Sequence, residues 1–217
     1  KIVPEPVEIH EYSGKFTLPS EVTISDFRDG KMVDTYIELS SKILKTKGVA
    51  LKKGGKNSTV KLSISKKIKG EGEYIIEVGK RDIRIQAGDE DALWCGLQTL
   101  TQLLSQGADR QMVIRDEPRF GYRGAMLDCC RHFFSVEDVK SFIDMMAVHK
   151  LNRFHWHLTE DQGWRIEIKK YPRLTEIGSV RESTYMTNYS GEQCDSFVDK
   201  PYGGFYTQDD IREIVKY

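Results

Sequence analysis

The stretch from Arg123 to Trp164 constrains the fold more than any other part of the chain. It spells out a strand, a helix and a second strand in immediate succession. Ala125 to Cys130 is a mostly apolar strand run, and Arg131 and His132 project beyond its C-terminal end. Ser135 stands three residues before Asp138, a capping box of the S-x-x-[DE] type that opens a helix. Val139, Phe142, Ile143 and Met146 follow at i, i+3, i+4 and i+7, which gives that helix one apolar face. From Arg153 to Leu158, the residues Phe154, Trp156 and Leu158 alternate with Arg153, His155 and His157, the period of a strand. Two parallel strands joined through one helix make a βαβ unit, whose functional groups gather at the C-terminal strand ends. The second strand too ends in polar residues, Thr159, Glu160, Asp161 and Gln162, and Arg131 and Glu160 are therefore expected to open onto one face of a sheet.

The segment LDCCRHFFSVEDVKSFIDMMAVHKLNRFHWHLTEDQGWRIEI resembles the start of the catalytic barrel of the glycoside hydrolase family 20 β-N-acetylhexosaminidases. The resemblance continues through YPRLTEIGS and GGFYTQDDIREIVKY, and LWCGLQTLTQLL is similar to part of the smaller α/β domain that precedes that barrel. It implies an α+β N-terminal platform domain over residues 1–118. Residues 119–217 are then the first two βα units of a (β/α)8 TIM barrel, because a whole barrel takes about 250 residues. The implied parent is a retaining exo-β-N-acetylhexosaminidase acting on terminal β-linked GlcNAc or GalNAc. In that family the substrate's acetamido oxygen attacks the anomeric carbon and forms an oxazolinium intermediate. An Asp orients the acetamide, and the adjacent Glu is general acid and then base, an exception to the two-carboxylate scheme. The Asp-Glu pair belongs at the end of the fourth strand, so no catalytic residue is expected in this chain and no turnover from it alone. The resemblance gives Arg131, the Arg of RHFF, the role of gripping sugar hydroxyls away from the scissile bond. The first acid of the following loop has a supporting role and is commonly Asp. Here it is Glu160, and Asp161 is a candidate to share the task. No cofactor and no metal is implied, and the implied location is periplasmic, cell-surface or secreted.

The residues themselves leave alternatives open. Arg131 offers a planar fork suited to adjacent hydroxyls, or it pairs with Asp128 or Glu160. The two readings are compatible, since a neighbouring carboxylate such as Asp128 holds a ligand-binding Arg in place. His155-x-His157 puts two imidazoles on one side of a strand, but no third metal ligand is evident, and both are read as interior histidines. Cys95, Cys129, Cys130 and Cys194 lack C-x-x-C spacing and are expected to be small buried residues. A different class of function is a non-catalytic carbohydrate-binding or scaffold module. The reading frame after Tyr217 discriminates: a stop favours the module, a further strand with an Asp-Glu dipeptide the enzyme.

Before Arg119 the pattern is α+β. Short strands are expected at Val7–Ile9, Lys15–Leu18 and Glu21–Ser25, divided by Gly14 and Pro19. A helix follows over Lys31 to Lys45, and then alternating strands around Val60–Ile64, Tyr74–Val78 and Ile83–Ile85. Asp89-Glu90-Asp91 opens a second helix with the stripe Leu93, Leu97, Leu100 and Leu104, and Met112–Ile114 is a short strand. The stretch from 159 to 206 shows only an alternating piece, Trp164-Ile166-Ile168, and a helical turn near Tyr171–Leu174, as a long binding loop would. A box of Thr207 and Asp210 then opens a last helix.

The 217 residues carry 33 basic and 33 acidic side chains, and this zero net charge argues against a nucleic-acid partner. No apolar run approaches the ~18 residues of a membrane span. The expected partner is the terminal N-acetylhexosamine of a glycan. Two βα units also leave strand edges unpaired, so self-association through residues 123–217 is expected.

Overall fold

A computed structural model describes residues 1–186 and 196–217; Cys194 lies outside them. The chain divides into two compact units, Lys1–Tyr122 with Val148–Lys150, and Arg123–Ala147 with Leu151–Tyr217.

The first unit is one seven-stranded mixed sheet with two helices. Its elements are β1 (Glu8–Lys15), β2 (Glu21–Ser25), α1 (Lys31–Leu44), β3 (Ala50–Gly54), β4 (Val60–Ile64), β5 (Tyr74–Val78), β6 (Ile83–Ala87), α2 (Glu90–Ser105) and β7 (Arg110–Asp116). The spatial order is β1-β7-β5-β6-β4-β2-β3. β2 lies parallel to β3 and β4, and β4 to β6, whereas β5 and β1 run antiparallel to their neighbours. Alternation gives the sheet its sides. Val22, Ile24, Val60, Ile76, Ile85 and Ile114 are buried in one core with Val33 and Tyr36 of α1 and Leu93, Leu97 and Leu100 of α2. Both helices therefore cover the same face, and Ser40 and Thr101 bond across them at 2.9 Å. Asp89 caps α2 by accepting the Ala92 N–H at 2.7 Å.

Two departures from the sequence reading are local. β1 is one strand through Gly14, not two, and its register against β7 shifts between Glu11 and Lys15. A Cβ at Gly14 would stand 2.2 Å from the Gln111 side chain, so this glycine accommodates a neighbour instead of ending the strand. β3 was not expected, because the Gly/Lys-rich segment Lys53–Ser58 reads as a turn; full parallel pairing with β2, Val22 opposite Leu51, makes Ala50–Gly54 a strand.

The second unit contains the βαβ element. β8 (Gly124–Asp128) and β9 (Arg153–His157) are parallel, with Asp128 opposite His157, and α3 (Val136–Val148) joins them. The expected box closes the start of α3: the Ser135 N–H donates to Asp138 Oδ2 at 3.0 Å and the Asp138 N–H to Ser135 Oγ at 3.2 Å. The loop from 159 to 206 is more structured than its sequence suggests. It holds β10 (Thr159–Glu160), β11 (Gly163–Trp164), α4 (Arg173–Glu176), β12 (Val180–Arg181), β13 (Thr184–Met186), β14 (Ser196–Val198) and β15 (Tyr202–Gly203). Three antiparallel pairs tie it together, β10 with β11, β12 with β15, and β13 with β14. α5 (Gln208–Lys216) follows, opened by the Thr207–Asp210 box. Val139 and Ile143 of α3 and Ile211 and Ile214 of α5 pack with Leu127, Cys129, Phe154 and Trp156 on one side of β8–β9. Alternation sends Met126, Asp128, His155 and His157 to the other side, where Met126 is exposed.

Candidate functional site

The polar ends of β8 and β9 converge. Past Asp128 the chain turns tightly: Asp128 Oδ1 accepts the N–H groups of Cys130 at 2.9 Å and Arg131 at 3.1 Å. That turn folds the Arg131 side chain back onto the strand end. Its Nη1 donates to Asp128 Oδ2 at 3.0 Å, its Nη2 lies 3.0 Å from Glu160 Oε2, and its Nε donates to Gln162 Oε1 at 3.0 Å. Glu160 is brought up by the β10–β11 hairpin, where it pairs with Gly163. His157 completes the group, its Nε2 lying 3.4 Å from both Glu160 Oε2 and Arg131 Nη1. Asp161 joins through its main-chain N–H, 3.2 Å from Glu160 Oε1.

All three charges of this cluster are held in their ionised forms. Burial acts to raise the Asp128 carboxyl, but the Arg131 and Cys130 N–H groups and the Arg131 guanidinium outweigh it and hold it below its ordinary value. The Asp161 N–H, followed by the Arg131 charge, lowers Glu160. Partial burial opposes the Arg131 charge, yet Asp128 and then Glu160 raise its pKa overall. A general acid needs the reverse, a carboxyl kept protonated near neutrality. The two carboxylates are held as acceptors for the Arg131 guanidinium. Arg131 is still 48% exposed at its side chain, and one Nη2 hydrogen has no partner among the described residues.

His155 and His157 do not share a site as a metal-binding pair: His155 is exposed, and His157 turns to Glu160 and Arg131. A different third donor exists, since Asp128, Cys130 and His157 bring ligand atoms within 4.8 Å of one another. These donors fit a cation poorly. The Arg131 guanidinium already occupies Asp128 and abuts His157, and burial pushes the Cys130 thiol up to about 11, so it stays protonated.

Two polar residues near the cluster, Arg181 and Arg165, escaped the sequence reading, and a third, Gln162, was read only as part of the polar run after β9. Gln162 receives the Arg131 Nε–H. Arg181, half-buried, donates from Nη2 to the Arg131 carbonyl at 2.9 Å. Arg165 is fully buried and donates to the carbonyls of Cys129, Cys130, Ser179 and Gly204. Alternation Trp164-Ile166-Ile168 drew attention to its neighbours, whereas the partners of Arg165 lie at least 14 residues away. Only the quoted QGWR run marked the position.

Two sequence models account for almost the whole length. That of the glycosyl hydrolase family 20 domain 2 matches residues 1–117, and that of the glycosyl hydrolase family 20 catalytic domain matches residues 120–217. The chain belongs to glycosyl hydrolase family 20. Among family 20 relatives, a β-hexosaminidase of Porphyromonas gingivalis is 39% identical over 232 residues, covering 100% of this chain and 28% of the relative. A β-hexosaminidase of Vibrio furnissii is 44% identical over 151 residues, 68% of this chain and 24% of that protein. Among solved structures, the family 20 exo-β-N-acetylglucosaminidase of Vibrio harveyi, crystallised with N-acetylglucosamine, superposes with a TM-score of 0.82 at 33% identity. The match covers 99% of this chain and 34% of that one. The chain thus spans about a quarter to a third of the length of these family 20 proteins.

Proposed function

We propose that this chain carries the sugar-gripping rim of a retaining exo-β-N-acetylhexosaminidase acting on terminal β-linked GlcNAc or GalNAc. Residues 119–217 begin its (β/α)8 barrel and residues 1–118 form its platform. One observation carries this reading. At the C-terminal end of β8, where barrel enzymes place their ligands, a guanidinium is fixed on three sides and left half open to solvent. Its free Nη2 hydrogen can donate to one sugar hydroxyl, and the carboxylate oxygens of Asp128 and Glu160 beside it can accept from an adjacent one. Asp128, Glu160 and Gln162 fix the fork beforehand, so little side-chain freedom is lost when sugar binds. Asp161 and His157 support Glu160. In this reading the acetamide-orienting Asp and the general-acid Glu come from strands after Tyr217. The ionised state of Asp128 and Glu160 supports that division of labour.

Two expectations follow. The purified 217-residue chain is expected to give no turnover of a chromogenic β-GlcNAc substrate above an empty-vector control. Measurable hydrolysis that survives chromatography would move the active site into this chain. The same chain is expected to self-associate, because the side of β8–β9 that bears the exposed Met126 has no second layer among the described residues. Sedimentation velocity across a concentration series checks this, and a monomer at all concentrations would sink it.

A further inference from the structure

Arg165 is buried without a carboxylate partner among its described contacts. It donates from Nε to Cys129 O at 3.1 Å, from Nη2 to Cys130 O at 2.8 Å, and from Nη1 to Gly204 O at 2.9 Å and to Ser179 O. Burial, with the charge of Arg181 adding to it, works against its protonated form. Gly163 leaves the space it needs, since a Cβ there would come within 2.4 Å of Arg165 Nη2. A fully buried cation stabilises a fold less well than an apolar side chain of similar volume, so its presence calls for an account other than stability.

Its acceptors supply that account. Cys129, Cys130 and Arg131 form the turn beyond β8, and each of their three carbonyls receives a guanidinium N–H, the first two from Arg165 and the third from Arg181. Their N–H groups are fixed too: Cys129 donates to His157 O at 3.1 Å, and Cys130 and Arg131 donate to Asp128 Oδ1. Every main-chain polar group of the turn is therefore held. Ionic partners fix the tip of the Arg131 side chain, but Arg165 and Arg181 fix the backbone from which it springs.

We propose that Arg165, seconded by Arg181, is a positioning residue for Arg131: it touches no sugar and sets where the gripping fork stands. The proposal rests on the reading of Arg131 given above. Arg165→Lys keeps the charge, but three N–H donors on a flexible stem cannot serve four fixed carbonyls. A misplacement of 1 Å in a positioned group costs on the order of 10²-fold in rate. The test is a double-mutant cycle in the full-length protein, with kcat/KM measured on a chromogenic β-GlcNAc substrate.

Arg165→Lys is expected to lower kcat/KM between about tenfold and a hundredfold in the wild-type background. In the Arg131→Ala background the same substitution is expected to cost no more than about twofold, because the group it positions is gone. Arg181→Gln, at a half-buried site, should show the same pattern with a smaller loss, and it carries the cycle if Arg165→Lys does not fold. A purely structural Arg165 would lower activity by the same factor in both backgrounds. Equal factors, or wild-type kinetics in Arg165→Lys, overturn the proposal. Normal kinetics in Arg131→Ala alone would instead overturn the reading on which it rests.

Discussion

Replacing Arg131 with alanine in the full-length protein is expected to cut kcat/KM by about tenfold to somewhat over a hundredfold while moving the melting temperature little. Each hydrogen bond from a charged donor contributes about 1.5–3 kcal/mol, and the one that the free Nη2 hydrogen gives the sugar is lost. Every 1.4 kcal/mol is tenfold, which sets that range. The stability forecast follows from exposure. Asp128 and Glu160 lose a partner in this variant, but their side chains are 29% and 31% exposed, so water takes up much of the released charge. Asp128 also keeps the N–H groups of Cys130 and Arg131. Arg131→Lys is expected to rescue poorly, because one ammonium cannot reach Asp128, Glu160 and Gln162 together and still face a ligand. Melting temperature and kinetics measured on the same protein decide the matter. A large melting drop with near-normal kcat/KM in the folded fraction would make Arg131 structural.

The parts of this fold that were legible in the sequence are those whose cause is local. Ser135 with Asp138, and Thr207 with Asp210, close their boxes within one turn, and Asp89 caps α2 in the same way. The stripe from Leu93 to Leu104 needed only its own spacing to mark a buried helix face. β3 was hidden because its reason is long-range: Lys52 and Lys53 carry no strand pattern, and only pairing with β2 about 30 residues earlier makes them one. Gly14 misled for the opposite reason. It looked like punctuation, whereas its missing side chain makes room for Gln111, nearly 100 residues away.

The candidate site divides along the same line. Arg131, Asp128 and Glu160 stand at strand ends, and strand ends can be counted from alternation. The register that sets Asp128 opposite His157 then draws that histidine into the group. Arg165 and Arg181 could not be found this way, because their acceptors are main-chain carbonyls, which every residue has. No residue type at any spacing announces a carbonyl. In the sequence Arg165 shares the polar phase of Trp164-Ile166-Ile168 with Glu167, the ordinary place for a solvent-facing charge, so nothing local marks it as buried.

Lys150→Met is expected to lower the stability of the first unit by about 3–5 kcal/mol, roughly 10–20 °C in melting temperature for a unit of this size. Lys150 is 7% exposed and belongs to that unit through the segment Val148–Lys150. Its Nζ donates to Tyr74 Oη at 2.8 Å and lies 3.3 Å from Asp116 Oδ2. Tyr74 donates its hydroxyl proton to the same carboxylate, and burial together with the Asp116 charge pushes the phenol far above its ordinary pKa, so it stays a donor. Removing the lysine leaves Asp116 charged and buried, with Tyr74 and the Val7 N–H at 3.4 Å as its described partners. Methionine keeps the stem's volume and, like lysine, must adopt the positive φ of 61° at this position, so the backbone cost cancels in the comparison. If the loss is that of a stranded charge, neutralising the carboxylate should restore much of it. Asp116→Asn in the Lys150→Met background keeps an acceptor for Val7 and should recover well over half of the lost stability. Thermal melts of the wild type and the two variants, with amide exchange read at β5 and β7, separate the two causes. A loss that persists in the double variant would place the contribution of Lys150 in packing and its hydrogen bond to Tyr74, not in charge balance.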